Sequence, residues 1–111
     1  MATDIQKQLY TAIKNGNIEE TENLLKRGAN PNIMYGNLSP LHWAINFCYN
    51  NNNKDGNEHI YKDIVKHLID YDADTEIACE GYTPIQFAGY TQCLKIINIL
   101  NRGKEKSKKS K

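Results

Sequence analysis

The sequence predicts an all-α fold built from a repeated helical unit, and three observations support it. The first is an internal repeat: Ser39-Pro40-Leu41-His42-Trp43-Ala44 returns as Thr83-Pro84-Ile85-Gln86-Phe87-Ala88. In each copy Ser or Thr can cap a helix, and proline then falls at the first helical position, where its missing N–H costs nothing. The second is Arg27-Gly28-Ala29-Asn30, where Gly28 sits as a left-handed residue that ends a helix. The third is the spacing of Ile60, Tyr61, Ile64, Val65 and Leu68, which follows a 3.6-residue period.

The motif at 39–44 reads [ST]-P-L-H-x-A and resembles the ankyrin repeat, whose unit of ~33 residues is a β-turn followed by two helices. The resemblance implies a solenoid of stacked helix-turn-helix units with short β-turn connections, about three of them, spanning Ile5 to Arg102. It also implies that His42 ties the start of its helix to neighbouring turns and that Ala44 is small so that helices can approach. His42 therefore reads as a structural hydrogen-bonder.

With the motif as a ruler, Ala12 aligns with Ala44 and Ala88, and Lys7-Gln8-Leu9-Tyr10 stands where S-P-L-H should be. The first unit, about 4–34, has lost its turn motif. It retains Ala12 to Asn17 closing one helix and Glu19 to Lys26 as the next, with Leu24 and Leu25 as core residues. A polar, motif-poor unit suits the end of an array.

From Lys7 to Ser39 is 32 residues, whereas Ser39 to Thr83 is 44, so the second unit, about 35–78, carries an insertion near 47–59. Asn50 to Asn57 reads as a polar, mobile loop. Asp55 and Glu58 resemble a capping box, and the second helix is expected to be lengthened backwards. A tolerated surface insertion is favoured over a binding loop. Asp72 replaces the expected helix-ending glycine, while Asn37 and Gly81 occupy turn positions that call for positive φ.

The third unit, about 79–103, is expected to hold helices near Pro84 to Tyr90 and Gln92 to Asn101. Ile96, Ile97, Ile99 and Leu100 remain as apolar as in an internal unit. An end capped so thinly suggests a further repeat, self-association, or a partner that covers it. Residues 104–111 read as a disordered basic tail.

Composition is ordinary for a soluble domain: 111 residues, 40% apolar and 24% charged, one domain. The net charge of +1 hides an asymmetry, since Lys104 to Lys111 carries five Lys and one Glu, a net +4, leaving −3 for the 103 residues before it. Met1 to Gln6 lacks a basic segment followed by an apolar one, and no apolar run approaches the ~18 residues of a membrane span. Neither a Sec-type signal nor a membrane association is expected. Cys48, Cys79 and Cys93 are odd in number and lack C-x-x-C spacing, which points to a reducing compartment rather than to a disulfide framework or zinc site. The expected location is cytoplasmic, or inside a host cell after non-Sec export. The abundance of Lys and Asn hints at an AT-rich genome.

Catalytic motifs for phosphate cradling, dinucleotide binding, serine hydrolysis and zinc hydrolysis are absent from the sequence, so no enzyme activity, cofactor or small-molecule substrate is expected. His59, Asp63 and His67 have the i, i+4, i+8 spacing of a weak metal site, but solvated helix residues are the favoured reading. The lysine tail has no arginine or aromatic with which to read bases, so a solubilising end is preferred over a nuclear or nucleic-acid-binding segment.

In the family, turns and first helices form a concave ribbon that binds other proteins. Here that ribbon would present Met34, Tyr35, Leu38, Glu80 and Tyr82 from the turns, and Thr11, Lys14, Trp43, Asn46, Phe47, Phe87 and Tyr90 from the first helices. Tyr35, Leu38, Trp43, Asn46, Tyr82, Phe87 and Tyr90 form the candidate protein-binding surface, because Tyr and Trp bury large area at small rotamer cost. Packing between units is the alternative for Trp43 and Phe87. The function expected is a non-enzymatic protein-interaction module, an adaptor or a host-directed effector, with a partner of unknown identity.

Overall fold

A computed structural model describes the backbone of residues 2–50 and 57–109, and the side chains of 5–49 and 58–102. Six helices run in order: α1 (Ala2–Lys14), α2 (Ile18–Lys26), α3 (Pro40–Asn50), α4 (Asn57–Asp70), α5 (Pro84–Thr91) and α6 (Leu94–Lys109). Consecutive helices pair as α1/α2, α3/α4 and α5/α6. The pairs stack so that α1, α3 and α5 form one layer and α2, α4 and α6 the other. The only β pairing among the described residues is the pair of isolated bridges that close the two turns, Tyr35 with Leu38 and Cys79 with Tyr82. No helix among the described residues is long and apolar enough to cross a membrane.

One continuous core runs through the stack. Leu9, Ile13, Leu24, Leu41, Ile45, Ile64, Leu68 and Ile96 are all but fully buried, and Ala12, Ala44 and Ala88 sit where first helices meet. Their small side chains let the backbones close up, and burying each large aliphatic contributes about 1.5–3 kcal/mol. Among the described residues no buried side-chain polar atom lacks a partner.

Several joints follow the residue chemistry. Gly28 has φ +107° and Asp72 has φ +73°, so both helix exits are left-handed, as the alignment requires. The turns differ from each other: Glu80 and Gly81 both take positive φ, the type I′ pattern, whereas in the first turn Gly36 and not Asn37 does. Gly36 comes one position earlier and supplies that conformation without Cβ strain, so Asn37 has no need of it. In the third unit Gln92 is the left-handed C-cap of α5, at φ +62°, and the last helix begins at Leu94 rather than at Gln92.

The insertion lengthens both neighbouring helices. α4 has 14 residues against 9 in α2, and α3 has 11 against 8 in α5. Residues 51–56, with the expected loop and Asp55, lie outside the described residues. Glu58 reaches outside its own helix: its Oε2 accepts from Lys95 N at 2.8 Å, which caps the start of α6 in the next unit.

α6 runs on to Lys109, into the segment read as a basic tail. Lysine and glutamate are good helix formers, a single Gly103 costs only about 1 kcal/mol, no proline intervenes, and cations suit a helix C-terminus. Ile96, expected on the bare apolar end, is fully buried, as is Leu100 at 2% exposure. The outward apolar surface of α6 is instead Leu94, 67% exposed, with Ile97 and Ile99 half-buried.

Candidate protein-binding ribbon

His42 is the joint from which the ribbon is built. It is completely buried, three residues after the Ser39 that caps α3. Its Nε2–H donates to Tyr82 O at 2.8 Å, in the turn of the next unit, so Nδ1 is the acceptor for the Ser39 hydroxyl at 2.6 Å. Ser39 Oγ also accepts from His42 N at 3.3 Å. Burial pushes the imidazole pKa below its ordinary value, with the Tyr82 carbonyl opposing in part, so the ring is held neutral. Gln86, at the same place in the third unit, turns back on its own helix. Its Oε1 accepts from Thr83 N at 3.0 Å while Thr83 Oγ1 accepts from Gln86 N at 3.3 Å, a closed capping box.

The turns are also locked to each other. Asn37 Nδ2 donates to Glu80 Oε2 at 2.6 Å, and the Cys79 thiol faces Met34 Sδ at 3.6 Å. Behind them an amide clamp repeats. Asn32 donates to Asp72 O at 3.1 Å and accepts from Asp74 N at 2.6 Å. One unit earlier, Gln6 from α1 holds Asn30, which aligns with Asp74, donating to its carbonyl at 3.0 Å and accepting from its N–H at 2.7 Å.

On this frame the aromatic residues fall into two groups. In the first, Tyr10 of α1 stacks on Tyr35 with ring centroids 4.3 Å apart and meets Trp43 edge-on at 5.1 Å. Trp43 stacks on Phe47 at 5.5 Å, and its indole N–H donates to Tyr35 O at 2.8 Å. In the second, Tyr82 lies 6.2 Å from Phe87 and 5.9 Å from Tyr90. Phe87 lies 5.7 Å from His42, which therefore joins the groups. Tyr35, Tyr82 and Tyr90 are 38%, 40% and 75% exposed, while Trp43, Phe47 and Phe87 are half-buried with one side open. Leu38 is half-buried in the first turn, paired with Tyr35, and Asn46 is half-buried on α3.

Sequence reading overlooked Tyr10, which sits at the hub of the first group. The signal was available, since Tyr10 aligns with His42. The ring stacks on Tyr35 in the next unit's turn, the turn to whose backbone a histidine at that place would donate. Also unforeseen is a groove of ≈ 380 Å³ beside this group, lined by Ile5, Gln6, Gly28, Asn30, Ile33, Met34 and Tyr35. Among the described residues no three His, Cys, Asp or Glu side chains are grouped to hold a metal ion.

Comparison with known proteins agrees with this architecture. The family model described as Ankyrin repeat matches residues 36–79. Among solved structures, an ankyrin repeat domain from Acinetobacter baumannii AYE superposes with a TM-score of 0.73 at 26% sequence identity, over 86% of this chain. The chain spans 46% of the length of that domain. No curated protein matches the chain.

Proposed function

We propose that the chain, which matches the ankyrin repeat model over residues 36–79 and has the fold of an ankyrin repeat domain, is a non-enzymatic module, an adaptor or effector, that binds another protein through the ribbon of Tyr35, Leu38, Trp43, Asn46, Tyr82, Phe87 and Tyr90, to which Tyr10 is added. The observation that carries the reading is the pair of aromatic groups held on the turn side of the stack by His42 and by the Asn37–Glu80 bond. Partly exposed rings fixed by their neighbours lose little rotamer freedom on binding, and such rings dominate interface energies.

The test is affinity capture from extract, followed by titration of any captured protein against variants. Tyr90→Ala removes a ring that is 75% exposed and leaves the core intact, so it should weaken binding at least tenfold without moving the unfolding midpoint. Trp43→Ala with Tyr82→Ala should abolish capture. Retention of every partner by that double variant would overturn the assignment of the surface.

A further inference from the structure

The groove beside α1 has a counterpart one unit along, and the two differ in what covers them. Its apolar walls are Ile5, Ile33, Met34 and Tyr35, and its volume of ≈ 380 Å³ falls within the about 300–1,000 Å³ of ligand pockets. Ile33 and Met34 are 47% and 48% exposed, so two consecutive large apolar side chains face solvent.

In the second unit Asp72, Asp74, Ile77 and Cys79 stand where Gly28, Asn30, Ile33 and Tyr35 stand in the first. That face is covered by the first unit's own loop. Asn32 bonds to Asp72 O and Asp74 N, Met34 Sδ receives the Cys79 thiol at 3.6 Å, and Asn37 bonds to Glu80. Ile77 is half-buried there and Cys79 is 4% exposed. Inside the stack, then, the cover is a non-helical segment that brings a flexible thioether between two carboxamides. On the first unit the carboxamide seat is filled from within, since Gln6 Oε1 accepts from Asn30 N at 2.7 Å. The apolar walls beside that seat are left open.

We infer that this groove binds a non-helical segment of a partner protein that presents a flexible apolar side chain, of the methionine class, and that the segment lies along the first unit's loop as residues 32–37 lie along the second's. The unit-to-unit interface supplies the template, and the groove continues it by one step. A thioether adapts to an irregular apolar wall, and docking takes Ile33 and Met34 out of water. A charged side chain at the same place would lose its hydration without a partner. The inference does not rest on the aromatic ribbon, which shares only Tyr35 with the groove.

The probe is a synthetic peptide of residues 30–38 of this chain, Asn-Pro-Asn-Ile-Met-Tyr-Gly-Asn-Leu, titrated into the isotope-labelled full chain and followed by amide chemical shifts. Saturable shifts are expected at Gly28, Asn30, Ile33 and Met34, with a dissociation constant of roughly 0.1–1 mM for so short a segment. A peptide carrying Met34→Asp should bind at least tenfold more weakly, as should the natural peptide to an Ile33→Asp chain. The peptide comparison uses the natural chain, so it decides the matter even where Ile33→Asp does not fold. Tyr90→Ala should leave the binding unchanged, which separates this site from the ribbon. Absence of saturable shifts, equal binding of the two peptides, or shifts centred on Asp72 to Cys79 or on Tyr82 and Tyr90 would overturn the proposal. So would sedimentation of the chain alone as a dimer that Ile33→Asp makes monomeric, since the groove would then belong to a second copy.

Discussion

His42 shows how one side chain can set both a helix start and the position of a turn 40 residues away. Its ring is held neutral, so protonation opposes the folded state. The unfolded chain takes up that proton below its ordinary value of 6.5, and the folded chain only at lower pH. Stability is therefore full above pH 6.5, falls as pH drops from 6.5 to the depressed folded value, and is constant in this term below it. Urea midpoints taken between pH 7.5 and 5 should show the decline in the natural chain and a flatter profile in His42→Gln, which is less stable at every pH, by about 1–3 kcal/mol at neutrality. Backbone strain gives a second case. Asp72 holds φ +73°, which glycine adopts freely, so Asp72→Gly should stabilise by about 0.5–1 kcal/mol, whereas Gly28→Ala at φ +107° should cost about 1. Thermal denaturation of the two variants should show shifts of opposite sign.

Elements reveal what the insertion does. It was legible in the sequence as extra length between Ala44 and Ile64, and Glu58 was legible as a cap. Which helix it caps was not, because a capping box is a local pattern and the α6 start lies 37 residues away. The aligned cap position in the first unit is Asn17, whose side chain accepts from Glu20 N at 3.0 Å, and in the third unit it is Cys93, a weak acceptor. The lengthened α4 delivers the missing carboxylate from the unit before. Glu58→Ala should lower stability by about 1 kcal/mol, and hydrogen exchange should quicken first in the opening turn of α6. The two turns make the same point. Gly81 was readable as the positive-φ residue, but at Gly36-Asn37 either residue could serve, and the choice between type I′ and type II′ was not written in the dipeptide.

At the scale of the whole molecule, the stack and its register were readable because three copies of Ala12, Ala44 and Ala88 share one ruler. The ends were harder. Burial of Ile96 against α4 depends on how α6 rotates about its axis, which an apolar run of Ile96, Ile97, Ile99 and Leu100 leaves open. The helical run to Lys109 needed only good helix formers, not a core. Of the candidate surface, the rings of the turns and first helices were readable, while Tyr10 was hidden by treating its position as a lost motif. The continuous core implies that the units stand or fall together, since three units is about the minimum for such an array. A chain ending at residue 78 would uncover the α5-facing side of Ala44 and Cys48 and the α6-facing side of α4. Its circular dichroism should fade gradually on heating, in place of a single cooperative transition.

Gln6 matters in this respect for anyone extending the array by design. Its side-chain amide already accepts from Asn30 N, the N–H that a preceding loop would bond with the counterpart of Asn32. A unit grafted ahead of α1 would compete with Gln6 for that one N–H, and the graft should dock better once the amide is removed. The repeats are interchangeable in outline, yet the first carries its own stopper.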